Sequence, residues 1–154
     1  IQVEDILVGC ENAARAGLEV HLTVMVGYPW ETRQEALRTA EMARQLMAQG
    51  WAEMLQATVV IPYPGTPLYA YGVENHLFRV DPQDYDRFDM TEPVFHTPDM
   101  SPEEVMRLCQ EIYRSFLTPR FVWRKLRKVR SWEDVRYLLW GARAVAGHLL
   151  DFGR

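Results

Sequence analysis

Apolar residues along this chain recur at helical spacing in some stretches and run together in others, and the alternation sets the expected order of elements. From Glu4 to Ala16, Ile6, Cys10, Ala13 and Ala14 fall at helical intervals. Gly17 stands where a left-handed residue closes a helix. Leu18 to Val26 is short, rich in β-branched residues and almost wholly apolar at its end, the composition of a buried strand. Gly27-Tyr28-Pro29 breaks it. Thr32, followed three residues later by Glu35, forms a capping box. The helix it opens carries Ala36, Leu37, Ala40, Ala43, Leu46 and Met47 as far as Gly50. A second apolar run, Met54 to Ile61, stops at Pro62-Tyr63-Pro64-Gly65-Thr66-Pro67.

Strand, amphipathic helix and strand in this order make a βαβ unit, whose crossover is almost always right-handed and whose strands are parallel. The Gly27 and Pro62 loops therefore leave the same, carboxyl edge of the sheet, where α/β folds place their sites. Residues 70–100 hold turn-prone and acidic positions with interspersed aromatics, and read as a long connection with at most one short helix or strand. Ser101-Pro102-Glu103-Glu104 is a helix start, with Val105, Leu108, Ile112 and Phe116 as its buried face. Thr118-Pro119 opens a basic helix. Ser131 caps another, with Val135, Leu138, Leu139, Ala142, Val145 and Leu149 along one side. Two parallel strands alone leave their outer edges unpaired. The expected remedies are strands from 70–100, edge-to-edge pairing of two copies, or sheet supplied by a missing upstream part of the same protein. The upstream part is the preferred one, because the chain opens on Ile-Gln-Val-Glu-Asp with neither an initiator Met nor a signal segment.

Composition narrows the classes. With 154 residues, 48% hydrophobic and 25% charged, the chain is suited to a packed core and not to disorder. No stretch reaches the roughly 18 consecutive apolar residues of a membrane span. Cys10 and Cys109 lie too far apart in sequence for a disulfide scaffold or a metal-ligand pair, and His21, His76, His96 and His148 show no ligand spacing; the expectation is no metal site, with buried free thiols in a reducing, cytoplasmic compartment. The formal net charge of −4 conceals an asymmetry. Residues 1–118 carry 8 basic and 18 acidic groups, residues 119–154 carry 9 basic and 3 acidic ones. The basic segment through Arg120, Arg124, Lys125, Arg127, Lys128 and Arg130 reads either as a solvated helix face or as a patch for RNA, phosphate or a partner protein.

No nucleophile elbow or phosphate-binding glycine loop is present, and no residue is assigned a catalytic role. The candidate site is the pair of strand-end loops. Gly27 permits close backbone approach, and Glu31 lies beside a positive helix end, where it either complements the dipole or faces a ligand. Three prolines and a glycine within six residues hold the second loop on a rigid path. Its first backbone groups suit hydrogen bonds to a flat heterocycle, with Val60 and Ile61 against the ring; the alternative is a rigid turn that only protects the strand end.

Three segments carry a resemblance: Ala16-Gly17-Leu18-Glu19-Val20, then Val26-Gly27-Tyr28-Pro29-Trp30-Glu31-Thr32, then Ile61-Pro62-Tyr63-Pro64-Gly65-Thr66-Pro67-Leu68-Tyr69. Together with Asp89 to Glu104 they resemble the later half of a radical S-adenosylmethionine (SAM) enzyme core, in the cobalamin-dependent and methylthiotransferase-like branch that includes anaerobic tetrapyrrole cyclases. Trp30 departs from the pattern, which usually has glycine there. The resemblance implies an α/β fold, the later half of a six-stranded (β/α) barrel over residues 1–100, followed by a helical extension over 101–154. It implies cofactor contacts at Gly27, Glu31, Ile61 and Pro62, the last two against adenine, with Tyr28 and Tyr63 facing substrate. It further implies a parent oxidoreductase or methyltransferase using SAM and a [4Fe–4S] cluster, with cobalamin as a further cofactor, acting on a small molecule or tRNA. The cluster-binding Cys-x-x-x-Cys-x-x-Cys motif is absent from this chain, so the chain alone is expected to be inactive and to bind SAM weakly or not at all.

Overall fold

The capping signals determine where the helices begin. The computed structural model describes residues 2–115 and 118–151, apart from the side chains of 115 and 144–151. Its elements are α1 (Val3–Arg15), β1 (His21–Val26), α2 (Arg33–Gln49), β2 (Met54–Val59), α3 (Pro67–Glu74), a 3₁₀ turn (Tyr85–Arg87), α4 (Pro102–Ser115), α5 (Pro119–Arg127) and α6 (Trp132–Asp151). At the start of α2 the Thr32 Oγ1 accepts the Glu35 N–H while the Glu35 carboxylate accepts the Thr32 N–H, at 3.4 and 2.8 Å. Ser101 and Glu104 do the same for α4, and Ser131 with Asp134 for α6. Thr66 and Thr118, each followed by a proline at the first helical position, cap α3 and α5. At the other end of α1, Gly17 takes φ +81°.

β1 and β2 pair in parallel, with His21 opposite Met54 and Val26 opposite Val59. The period of two divides each strand by face. Leu55, Ala57 and Val59 of β2 are buried, as is Val26 of β1. His21, Thr23, Met25, Met54 and Gln56 lie on the opposite, exposed face. Both α2 and α4 pack on the sheet and on each other. Ala36, Ala43, Leu46 and Met47 come from α2; Val105, Leu108, Cys109 and Ile112 come from α4. Each large aliphatic side chain buried there contributes roughly 1.5–3 kcal/mol. Phe116, expected on that face, lies outside the described residues.

This architecture corrects the barrel expectation. The described residues form six α-helices and one two-stranded sheet, and no partial barrel is evident. A barrel arc needs each helix to be followed by another strand. After α3 the chain instead forms an aromatic cluster, in which Phe78 lies 4.8 Å from Phe95 and 6.0 Å from Phe88 between ring centroids. The backbone there makes only an isolated antiparallel bridge, Phe78 to Phe95. Gly72 of α3 admits this cluster: a Cβ at that position would lie 2.6 Å from the Phe95 ring. The next apolar stretch has helical spacing and becomes α4. Residues 70–100 therefore add no strand to the sheet.

The strands are also shorter than the apolar runs. β1 omits Leu18–Val20 and β2 omits Val60 and Ile61. α1 buries none of its residues. The chain divides into two compact units, Ile1–Phe116 and Leu117–Arg154. In the second unit Val135 and Leu138 are half-buried, Leu139 and Ala142 are exposed, and the side chains of Val145 and Leu149 lie outside the described set.

Candidate functional site

Because Val26 and Val59 are register partners, both chains leave the sheet side by side. The Val60 N–H donates to the Val26 carbonyl at 2.9 Å, extending the ladder one bond beyond the strands. Past that point the paths diverge. Gly27 turns at φ +93°, a conformation that side-chain-bearing residues rarely adopt, and a Cβ there would press on Val105 Cγ1 of α4 at 3.0 Å. The turn is closed from within: the Gly27 N–H donates to Glu31 Oε2 at 2.6 Å, and the Glu31 N–H donates to the Tyr28 carbonyl at 2.9 Å.

Glu31 is 7% exposed. Burial pushes its carboxyl above the usual carboxylate range, against the Gly27 and Tyr28 amides that favour the charged form, and the charge of Glu35 adds to the rise. Thr32, not Glu31, supplies the helix cap, so the carboxylate braces the loop. Cys109 of α4 is buried, and desolvation, then the charge of Glu31, push its thiol up to about 12. Burial of this kind disfavours the thiolate, the form in which a cysteine acts as a nucleophile. Burial first, then Glu31, also raise Tyr28.

The second loop continues through Ile61 and Pro62, both buried. Among the described residues the backbone N–H and C=O of Ile61 make no hydrogen bond, which is uncommon for a buried residue at a strand end. Tyr63 turns outward, 53% exposed, and its carbonyl accepts from Thr66 N and Oγ1 at 3.2 and 2.7 Å. Gly65 completes the turn at φ +84°.

The structure brings five of the six anticipated residues to one edge: Gly27, Tyr28 and Glu31 from the first loop, Ile61 and Pro62 from the second, with Tyr63 at the rim. Sequence reasoning missed the aromatic extension. Trp30 stacks on Tyr28 at 5.4 Å and meets Tyr71 of α3 edge-on at 5.9 Å. The available signal was Thr66-Pro67, a cap followed by proline, which places Tyr71 on a helix just after the second loop. Val105 and Cys109, which back the first loop, sit one helical turn apart on α4; nothing local in sequence shows that α4 crosses there.

A [4Fe–4S] cluster does not fit these residues. It needs several thiolates, whereas the chain has two cysteines, one of them the buried Cys109. Among the described residues no group of three His, Cys, Asp or Glu side chains is placed to hold a metal ion. Nor is any described helix long and apolar enough to cross a membrane. At this edge the described residues offer backbone groups and the side chains of Tyr28, Trp30 and Tyr63.

No protein-family model matches the chain. Over 106 residues, 69% of this chain and 22% of the relative, it is 28% identical to a protein of Pyrococcus horikoshii named uncharacterized methyltransferase PH0819. The matched part thus spans about a fifth of that relative's length.

Proposed function

We propose that this chain is part of an SAM-dependent methyltransferase, and that the loops after β1 and β2 hold the adenosyl group. The observation that carries this is the unpaired backbone of buried Ile61, beside a glycine turn pinned by Glu31. One amide N–H and one carbonyl, adjacent and fixed by Pro62, match the donor–acceptor edge of adenine. The similarity to a protein named as a methyltransferase supports SAM as the adenosyl source. The radical SAM branch is the finer reading, supported by the Pro62–Leu68 loop sequence. On that reading the cluster and any cobalamin are bound by residues other than these, and this chain contributes binding and orientation. Tyr28 and Tyr63 then face the methyl acceptor.

Saturation-transfer NMR with SAM, adenosine and methionine tests the proposal. An adenosyl subsite without the methionine half gives weak binding, with a Kd of about 1 mM. Saturation is expected at the adenine protons of SAM and adenosine, with none at the methyl group of free methionine. Transfer to methionine and none to adenosine contradicts the assignment.

A further inference from the structure

The second unit carries a surface that the site does not use. Between Pro119 and Trp132 there are six cationic side chains and no acidic one. On α5, Val122 and Leu126 lie one turn apart with Trp123 beside them, and these three are 45%, 52% and 63% exposed. Arg120 and Arg127 border the Trp123 side at helical intervals of three and four. The ring that lies among the cations, Phe121, is already engaged: the Arg124 guanidinium and the Lys125 ammonium lie 5.7 and 5.6 Å from its centroid.

We propose that α5 docks this unit onto an anionic lipid surface, lying in the interface with Val122, Trp123 and Leu126 inserted and the flanking cations at headgroup level. Charge complementarity selects the partner's sign, and the composition of the exposed face selects its kind. Trp123 alone would stack a base; the aliphatic pair exposed beside it adds nothing to stacking and is taken readily by acyl chains. A tryptophan at the border of an apolar face suits the headgroup boundary, where its ring is half in hydrocarbon and its N–H is wet. Arginines beside it place their stems along the apolar layer and their charge outside it. Attachment of this kind needs no spanning helix, and depends on salt because headgroup attraction is screened within about 8 Å at physiological ionic strength.

Co-sedimentation of the full chain with phosphatidylcholine vesicles, with and without a one-third share of phosphatidylglycerol, tests the proposal. The chain is expected to pellet with the anionic vesicles and to stay in solution with the neutral ones. Binding should fall as salt is raised, and tryptophan emission should shift to the blue on binding. Arg120→Gln with Arg127→Gln should weaken partitioning about tenfold or more. Val122→Ser with Leu126→Ser should remove the bound fraction; circular dichroism of both variants checks that their helix content is unchanged. Equal binding to neutral vesicles, no binding to either, or retention of a single-stranded RNA unaffected by the two serine substitutions would each overturn it.

Discussion

Gly27 and Glu31 show how far single residues determine the site. Gly27 combines a φ of +93° with contact against Val105, so Gly27→Ala adds both backbone strain and a steric clash. We predict a loss of about 1–3 kcal/mol, read as a lower urea midpoint at unchanged slope. Glu31 gives a pH-dependent prediction. Its pKa is raised in the folded chain, chiefly by burial, so the fold favours its neutral form. The resulting stability is full below the unfolded-state pKa and is lost as pH rises through the folded one. Glu31→Gln keeps an acceptor for the Gly27 N–H and removes the titration. Its Tm relative to the unsubstituted chain should therefore rise between pH 4 and pH 7; a constant difference across that range contradicts the assignment. Sequence showed that Gly27 must turn and that Glu31 lies beside a helix start. That the carboxylate reaches back to brace the turn depended on a four-residue geometry that the letters do not specify.

At the scale of elements, caps were the most legible feature because each is a local hydrogen-bond pattern. Thr32 with Glu35, Ser101 with Glu104 and Thr118-Pro119 all mark helix starts in the structure. Thr66-Pro67 has the same form and opens α3. Thr32→Ala removes one such cap and should cost about 1 kcal/mol, measured by thermal or denaturant unfolding. The Thr32 N–H and hydroxyl hold Glu35 below the usual carboxylate range, so that contribution is lost as pH falls through its folded value. Strand limits were less legible. The apolar runs Leu18–Val26 and Met54–Ile61 overrun the paired segments, since pairing ends where register partners end and not where hydrophobicity does. Val20 accepts from Glu53 and Met54 just before the ladder, and Ile61 leaves it without a partner.

For the whole molecule, the resemblance in the loops suggested more strands than the described residues build. Loop sequences specify how strands end; they do not supply further strands, and the region after α3 packs rings around Gly72 instead. What the βαβ reading did establish was the shared edge, because parallel strands oblige both loops to emerge together. The charge asymmetry was also visible in composition, but the exposed aliphatic face of α5 needed the structure, as Val122 and Leu126 read equally well as core. Amide spectra of the ¹⁵N-labelled chain, recorded during titration with millimolar SAM, test for an adenosyl subsite on the β1–β2 edge. The amide signals of Gly27, Tyr28, Ile61 and Tyr63 are expected to shift together along one binding curve. Stationary signals there, or shifts confined to α5 and α6, contradict it.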